Sequence, residues 1–197
     1  LDLTGLTGTL MVVGLPDVGN STFARYLFGR LCSGSSSLAF LDGDPGQSTL
    51  GPPCSMTLAL ALNGNDTFPP GGQLWRGFVG SVSPAQHMLP VLTSAARLVR
   101  AAQEASTQTI IYDTTGFVDP LRGGTYLKLA KIDLLRPTLL VAIQRDRELE
   151  PLLAPLRRSR RVNLVELSPA AAVQRREPSL RRAHRTAKFA QYFSDAG

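Results

Sequence analysis

A glycine-containing segment at residues 14–22 constrains the fold of this 197-residue chain more than any other feature. It reads Gly-Leu-Pro-Asp-Val-Gly-Asn-Ser-Thr, and it lies between an apolar β-rich run at residues 9–13 and a run at residues 21–31 with apolar side chains at helical spacing. The order strand, glycine loop, helix predicts a phosphate-binding loop, in which backbone N–H groups and the helix N-terminus face a phosphate. A glycine-rich turn that arose by chance is the alternative interpretation.

The predicted loop departs from the usual phosphate-loop sequence at one position. Asn20 stands where lysine normally supplies a mobile positive charge to the β- and γ-phosphates of a nucleotide. An amide can replace the hydrogen bond of that lysine but not its charge, so we expect nucleotide binding to survive while turnover suffers. Ser21 has the spacing of the residue whose hydroxyl binds Mg²⁺. The expected nucleotide-binding residues are Gly14, Pro16, Asp17, Val18, Gly19, Asn20, Ser21 and Thr22.

Acidic residues directly follow two of the predicted buried strands. Asp42 and Asp44 come after an apolar run at residues 37–41, and Asp113 comes after another at residues 109–112. Because the carboxyl ends of parallel strands form the ligand crevice of an α/β sheet, we expect these acids beside the phosphate-binding loop. There a carboxylate can bind Mg²⁺ through water or accept a proton from an attacking hydroxyl. Turn formation by Asp-Gly and Asp-Pro is the alternative for the first pair.

Strand and helix patterns alternate along the rest of the chain. Residues 48–74 are rich in Pro and Gly around one apolar stretch, which indicates loops and an edge hairpin. Further strands are predicted at residues 75–81, 138–143 and 162–167, and helices at residues 84–102, 121–134 and 146–153. Five or six strands that alternate with helices predict an α/β fold with a doubly wound, mainly parallel sheet. We expect residues 1–197 to form one such domain.

Positive charge is concentrated near the end of the chain. Ten basic residues and only two acids lie between Arg157 and Lys188, in a chain whose formal net charge is +6. Such a cluster suits polyanions, whether nucleotide phosphates or a nucleic-acid backbone. We expect the segment from residue 168 onward to be helical and to fold arginines over the phosphates as a lid. A solvated arginine-rich helix is the alternative.

The sequence offers no pattern for a membrane span or a cysteine metal site. No apolar run approaches the roughly 20 residues that cross a bilayer, and no basic segment of a signal peptide opens the chain. We therefore expect a soluble intracellular protein without a membrane partner. Cys32 and Cys54 are isolated, and we expect them to be reduced, packed thiols.

Five motifs occur in a characteristic order. They are Gly-x-x-Asp-Val-Gly-x-Ser-Thr at residues 14–22, Asp-x-Asp-Pro-Gly-Gln at 42–47, Gly-Ser-x-Ser-Pro at 80–84, Asp-Thr-x-Gly-Phe at 113–117, and a basic segment that runs into Tyr-Phe at 192–193. This combination resembles the polynucleotide 5′-hydroxyl kinases of the RNA-processing type, which include the kinase of the pre-mRNA cleavage complex, the nucleolar ribosomal-RNA kinase and archaeal relatives. The resemblance spans nearly the whole chain, and Asp-Pro-Gly-Gln is its most specific element.

The resemblance implies a phosphate-loop kinase fold with a basic helical lid. It further implies transfer of the γ-phosphate of ATP or GTP to the 5′-hydroxyl of RNA or DNA, with Mg²⁺. The cell compartment would be the cytoplasm in a prokaryote and the nucleus or nucleolus in a eukaryote. Protein partners are not indicated.

The resemblance also assigns roles to residues. Asp44 matches the residue that activates the hydroxyl, Gln47 faces the same site, and Ser83 lies in a segment that clasps the acceptor backbone. Phe117, near Thr115, stands where the family has an aromatic on which the terminal base stacks. The metal candidates are Ser21, Asp42, Asp44 and Asp113, and the substrate candidates are Gln47, Ser83, Thr115 and Phe117. The lid positions are covered by Arg175, Arg176, Arg181, Arg182 and Arg185, and the catalytic candidates are Asp44, Asn20, Arg182 and Arg185.

Active members of this family carry lysine at the position of Asn20, which leaves three interpretations open. The chain is a nucleotide-binding scaffold, it carries an inactivating change, or a lid arginine compensates for the substitution. The presence of Asp44, Ser21 and the arginine-rich tail favours a surviving or recently lost kinase. A catalytically silent nucleotide- or RNA-binding module is the second function. A GTPase-like switch is ranked last, because no Asn-Lys-x-Asp guanine-reading sequence occurs.

Overall fold

Seven strands and five helices make up the described part of the chain. The computed structural model describes residues 5–33, 37–159, 161–173 and 177–194. The strands are β1 Gly8–Gly14, β2 Leu38–Gly43, β3 Ser55–Leu60, β4 Leu74–Phe78, β5 Thr109–Thr114, β6 Leu139–Ile143 and β7 Asn163–Leu167. The helices are α1 Asn20–Cys32, α2 Met88–Glu104, α3 Gly124–Leu135, α4 Glu150–Ser159 and α5 Pro178–Phe193.

All seven strands form one sheet in the order β4-β3-β2-β5-β1-β6-β7. From β2 to β7 every neighbouring pair is parallel, and β3 and β4 add an antiparallel hairpin at one edge. The predicted doubly wound, mainly parallel sheet is therefore confirmed. It has more strands than the five or six expected, because both arms of the edge hairpin join the sheet.

Helices cover both faces of the sheet, and strand alternation decides which residues each face buries. On one face, Phe28 of α1 clusters with Leu10 and Val12 of β1. On the other face, α2, α3 and α4 cluster with the alternate residues Met11 and Val13. β1 and β6 are buried on both faces and are apolar almost throughout, as such strands must be.

Three helices begin three or four residues later than the sequence predicts. α3 begins at Gly124 rather than at residue 121. α2 begins at Met88 rather than at residue 84, because Gln86 adopts a left-handed φ of 63° that a right-handed helix excludes. α4 begins at Glu150 rather than at residue 146. There the Glu148 carboxylate accepts hydrogen bonds from two preceding backbone N–H groups at 2.8 Å, which closes a turn first.

The basic tail also becomes helical later than expected. Residues 168–173 are not helical, and Arg175 and Arg176 lie outside the described residues. α5 begins at Pro178, where the missing N–H of proline costs nothing because the first turn has no intrahelical partner for it. No residue of α5 is fully buried, so this helix lies on the surface of the domain.

The parallel strands β1, β2, β5 and β6 all end at the same side of the sheet, which we call the carboxyl edge. The loops that follow these strands therefore meet there. Among the described helices, none combines the length and apolar character that a bilayer crossing requires. Cys32 and Cys54 are both free thiols.

Candidate functional site

The phosphate-binding loop joins β1 to α1 and has the backbone of an anion-binding turn. Asp17 and Gly19 adopt left-handed φ angles of 58° and 99°, which direct successive N–H groups toward the concave side of the loop. α1 begins at Asn20 without a side-chain cap, so its first N–H groups are available to a ligand. At Gly14 a Cβ atom would lie 2.7 Å from the Ile143 carbonyl oxygen, so only glycine fits there. The loop can cradle a phosphate without a lysine.

Asn20 lies inside this loop and supplies no charge. The residue is 8% exposed, and its Nδ2 donates a hydrogen bond to the Leu15 carbonyl oxygen at 3.2 Å. Its Oδ1 is buried and has no hydrogen-bond partner among the described residues. An unsatisfied buried acceptor costs about 1–3 kcal/mol, so a bound donor such as a water molecule would be favourable here. The amide holds the loop together but cannot neutralise a phosphate.

Two arginines from distant parts of the chain contact the loop at Asp17. The guanidinium of Arg181, on α5, forms an ion pair with the Asp17 carboxylate. Arg145, which follows β6, donates from Nη2 to the Asp17 backbone carbonyl oxygen at 3.0 Å. Arginine stays charged at any physiological pH. Positive charge is therefore present beside the loop, although it is absent at position 20.

The loop after β2 holds α5 over the carboxyl edge. The His184 ring Nε2 lies 3.0 Å from the Ser48 carbonyl oxygen, and Lys188 donates from Nζ to the Thr49 carbonyl oxygen at 2.9 Å. These bonds from one face of α5 to two consecutive residues fix the rotation of the helix. That rotation turns Arg181 toward the phosphate-binding loop.

The other described lid candidates have different surroundings. Arg182 borders a surface groove of about 700 Å³ that is lined mainly by small α5 side chains. Arg185 lies near Cys54: burial raises the pKa of that thiol, and the positive charge of Arg185 opposes the shift. Among the lid candidates in the described ranges, Arg181 is the one that forms an ion pair with the phosphate-binding loop.

Asp42 is buried and builds the loop on which α5 docks. Its Oδ2 accepts hydrogen bonds from the Ser48 hydroxyl at 3.1 Å and from the N–H groups of Thr49 and Leu50 at 2.6 and 3.0 Å. Burial raises the pKa of this carboxyl, and the hydrogen bonds act in the opposite direction. The carboxylate thus has a turn-forming role, which was the alternative interpretation of this acid.

Asp44 is half-buried and forms an Asx turn with only one of its oxygens. Its Oδ1 accepts hydrogen bonds from the N–H groups of Gly46 and Gln47 at 2.8 and 3.1 Å. Its Oδ2 accepts none from the residues that the structure describes. A Cβ atom at Gly46 would collide with the Val82 carbonyl oxygen, so this turn packs against the segment that leads to Ser83. Asp44 therefore keeps one oxygen for a ligand beside a predicted acceptor-binding residue.

Asp113 lies on β5 directly beside Asp42 of β2. It is buried, the Ser21 hydroxyl is near enough to influence its pKa, and its Oδ1 has no hydrogen-bond partner among the described residues. Burial raises the pKa of Asp113 to about 7; the charges of Asp42 and Asp44 reinforce the shift, and the Ser21 hydroxyl opposes it. Crowded carboxylates of this kind favour either a proton or a cation.

This arrangement fits Mg²⁺ that is bound together with a nucleotide. Mg²⁺ prefers oxygen ligands and commonly takes only one or two carboxylates, with phosphates and waters completing its shell. The Ser21 hydroxyl and the buried, unpaired Oδ1 of Asp113 supply such oxygens. Within the described ranges, no three His, Cys, Asp or Glu side chains converge as a closed metal site. An ion here would therefore depend on phosphates for the rest of its coordination.

Two fully buried lysines, Lys128 and Lys131, lie beneath the end of β5 and were not predicted from the sequence. The Lys128 ammonium donates to the Thr114 hydroxyl at 2.6 Å and to the Thr115 carbonyl oxygen at 2.5 Å, and burial lowers its pKa to about 7. The Lys131 Nζ lies 5.0 Å from the ring centre of Tyr112. Burial also lowers the pKa of Lys131 well below its usual value.

A signal for these lysines exists in the sequence. The buried residues of α3 fall at positions 124, 125, 127, 128, 131 and 132, which is the stripe of a helix face turned to the core. Both lysines lie on that stripe. Through Lys128, α3 fixes the end of β5. The adjoining Gly116 approaches the phosphate-binding loop so closely that a Cβ atom would lie 2.5 Å from the Pro16 nitrogen.

The remaining predicted acceptor-binding residues lie in the loops of the carboxyl edge. The hydroxyls of Ser83 and Thr115 each accept a hydrogen bond from the N–H group two residues further on, at 3.2 and 3.4 Å. Gln47 donates to its neighbouring carbonyl oxygen at 2.6 Å. The half-buried ring of Phe117 has the guanidinium of Arg122 5.7 Å from its centre. The Phe117 ring and the positive charge of Arg122 therefore lie together at the carboxyl edge, where Asp44 also lies.

Residues 14–195 match the family described as the mRNA cleavage and polyadenylation factor CLP1 P-loop. Three similar archaeal proteins carry the name polyribonucleotide 5′-hydroxyl-kinase. They come from Pyrococcus furiosus, with 30% identity over 187 residues, Thermococcus kodakarensis, with 31% over 188, and Methanocaldococcus jannaschii, with 28% over 187. Each match covers 95% of this chain but only 50–52% of the relative. The chain thus spans about half the length of these relatives.

A solved structure described as the wild-type Clp1p–Pcf11p (454–563) complex has a similar fold. One chain of that structure superposes with a TM-score of 0.75, and the match covers 97% of this chain and 50% of that one. At 12% identity this likeness concerns the fold alone. The family match over nearly the whole chain, together with the phosphate-binding loop at the carboxyl edge, confirms the resemblance identified from the motifs. The chain belongs to the CLP1 P-loop family.

Proposed function

We propose that this chain is the catalytic core of a polynucleotide 5′-hydroxyl kinase, which transfers the γ-phosphate of ATP or GTP to the 5′-hydroxyl of RNA. One observation carries the proposal: Asp44 keeps an oxygen that no described residue occupies, at the same edge as a phosphate-binding loop contacted by Arg181. The names of the archaeal relatives, each of which matches 95% of this chain, support it.

The nucleotide phosphates would be bound by the N–H groups of the loop and of the first turn of α1. Ser21 and Asp113 would hold Mg²⁺, which when bound neutralises negative charge on the β- and γ-phosphates. The raised pKa of Asp113 supports this assignment, because a cation stabilises the ionised carboxylate that burial disfavours. Asp42 keeps the adjoining loop in shape through Ser48.

Arg181 and Arg145 would provide the positive charge that Asn20 does not. Both guanidinium groups contact Asp17 within the loop, and a guanidinium can donate two parallel hydrogen bonds to phosphate oxygens. A nucleotide in the loop would compete with Asp17 for the donors of Arg181. The positive charge would then come from the lid rather than from the loop. This corresponds to the interpretation in which a lid arginine compensates for the missing lysine at position 20.

Asp44 would accept the proton of the acceptor hydroxyl as the hydroxyl oxygen attacks the γ-phosphorus. The new O–P bond forms while the bond from the γ-phosphorus to the bridging oxygen breaks, and the electron pair leaves with the nucleoside diphosphate. Phe117 would present its ring to the terminal base. Ser83 and Gln47 would border the acceptor backbone on either side of the Asp44 turn.

A nucleotide- or RNA-binding scaffold is the second candidate, and the neutral Asn20 favours it. The loop geometry serves binding as well as transfer, because its N–H groups need no lysine to hold a phosphate. If the chain is a scaffold, we expect it to bind nucleotides and to transfer no phosphate to the RNA.

Transfer of label from γ-labelled ATP or GTP to an oligoribonucleotide separates the two candidates. The kinase proposal predicts label on RNA with a 5′-hydroxyl and none on the same RNA with a 5′-phosphate. The variant Asp44→Asn should bind nucleotide and transfer no label. Nucleotide binding without label in the unmodified chain would favour the scaffold and contradict the kinase.

A further inference from the structure

A groove of about 430 Å³ lies between the end of α5 and the outer strand β4. Arg76 and Phe78 of β4 form one wall, and Phe189, Tyr192 and Phe193 of α5 form the other. Residues 52–55 form the floor. The roles proposed above use none of these residues.

The groove presents aromatic faces to water. Phe78, Phe193 and Tyr192 are 81%, 58% and 49% exposed. The rings are already ordered against one another: Phe189 and Phe193 are stacked with an interplanar angle of 17°, and Tyr192 meets Phe193 edge to face. Exposed aromatic clusters of this kind mark binding surfaces rather than incidental surface residues.

The charge of the groove is positive. The Arg76 guanidinium lies 5.8 Å from the ring centre of Tyr192, and Arg185 lies on α5 one helical turn before Phe189, which lines the groove. Lys188 lies one helical turn before the aromatic end of α5. No acidic residue lines the groove within the described part of the chain. Aromatic faces flanked by arginines are the composition of sites that bind single-stranded nucleic acid, where bases stack and phosphates pair with the cations.

The groove lies next to the proposed acceptor site. The N–H group of Cys54 donates to the carbonyl oxygen of Pro45 at 2.9 Å, and Pro45 follows Asp44 directly. On the other side, Gly80 of the groove wall leads within three residues to Ser83. A strand whose first nucleotide lies at Asp44 would therefore enter the groove with its next nucleotides.

We propose that this groove binds the nucleotides that follow the 5′ end of the acceptor strand, with bases stacked on Phe78, Tyr192 and Phe193 and phosphates beside Arg76 and Arg185. The direction of the strand rests on the proposed function. The occupant is single-stranded nucleic acid, because positive charge without acids suits a polyanion better than an apolar peptide.

Binding of 5′-hydroxyl oligoribonucleotides with a 3′ fluorophore tests this proposal without any phosphate transfer. The ligands are a dinucleotide and a decamer, and the variants are Phe78→Ala and Tyr192→Ala. Tyr126→Ala is the matched control, because Tyr126 is a 71% exposed aromatic on α3. We expect each groove variant to weaken decamer binding roughly ten-fold, from the loss of one stacked base, and to leave dinucleotide binding unchanged. The control should bind both ligands as the unmodified chain does.

Decamer affinity that is unchanged in both groove variants would overturn the proposal. So would a dimer that Phe78→Ala dissociates in sedimentation while decamer affinity stays constant, because the groove would then belong to a second copy of the chain. A 4-thiouridine placed third in the decamer should cross-link to Tyr192 or Phe78, and cross-links confined to other regions would contradict the assignment. If transfer fails while decamer binding still depends on Phe78, the kinase proposal falls and the groove remains a single-strand site.

Discussion

The variant Arg181→Met removes the lid charge from the phosphate-binding loop and keeps most of the side-chain volume. The Arg181 guanidinium pairs with Asp17 across the loop, and the two side chains are 31% and 13% exposed. A partly exposed pair of this kind stabilises a fold by about 1 kcal/mol at most, so the variant should fold. Loss of one charged donor to a transferring phosphate costs about 3–4 kcal/mol of transition-state stabilisation, which lowers kcat by roughly 10²–10³-fold.

The assay is the single-turnover rate of γ-phosphate transfer to 5′-hydroxyl RNA, measured beside nucleotide affinity and the free energy of unfolding. The control Arg100→Met removes an exposed arginine of α2 that pairs with Glu104, and it should keep the full rate. Asn20→Lys completes a double-mutant cycle. A loop lysine should restore most of the rate lost in Arg181→Met and add little to the unmodified chain, because both groups act on the same phosphate. An unchanged rate in Arg181→Met, or equal gains from the lysine in both backgrounds, would refute the reasoning.

Three further predictions follow from individual contacts. Asp44→Asn should abolish transfer while nucleotide affinity, measured by calorimetry, changes little; a retained rate would remove Asp44 from its role as base. Gly116→Ala should lower the free energy of unfolding by about 1–3 kcal/mol in urea titrations, because its Cβ would lie 2.5 Å from the Pro16 nitrogen. Burial lowers the pKa of Lys128 from 10.5 to about 7, so the stability it contributes is complete above its unfolded pKa and is lost as the pH falls toward 7. The unfolding free energy of the unmodified chain minus that of Lys128→Met should therefore rise with pH above neutrality, by up to about 1.4 kcal/mol per unit, and a constant difference would contradict the assignment.

Part of the geometry at the carboxyl edge follows from local patterns in the sequence. The phosphate-binding loop is visible in the sequence because its glycines, its strand and its helix are contiguous. Asp42 and Asp113 were expected near the loop because strand ends in a parallel sheet share one edge, and β2 and β5 lie side by side with these two residues in register. Both inferences depend only on residues close in the chain and on one general rule of α/β sheets.

Long-range contacts determine which lid arginine meets the phosphate-binding loop, and the sequence alone does not reveal them. The choice among the lid arginines depends on the rotation of α5, which bonds from His184 and Lys188 to the loop after β2 determine. The contact between Arg181 and Asp17 joins residues 164 positions apart. No local pattern contains that information.

The buried lysines were missed for a different reason. Lysine is normally placed on the solvent face of a predicted helix, since a buried ammonium must give up its hydration. At Lys128 two acceptors of the β5 end replace that hydration. The sequence of α3 shows that Lys128 lies on the buried face of the helix. The reason that a lysine is tolerated there is found only at the neighbouring end of β5.

Phosphate transfer by the unmodified chain in a single turnover tests the central claim most directly. The chain would be mixed in excess with 5′-hydroxyl RNA, Mg²⁺ and γ-labelled ATP or GTP, and the labelled RNA would be followed with time. If the chain is a kinase core and Arg181 supplies the positive charge at the phosphates, we expect one phosphate to be transferred to each RNA 5′ end. The variant Arg181→Met should lower the rate of that transfer strongly. RNA that stays unlabelled while the chain binds both nucleotide and RNA would contradict the account.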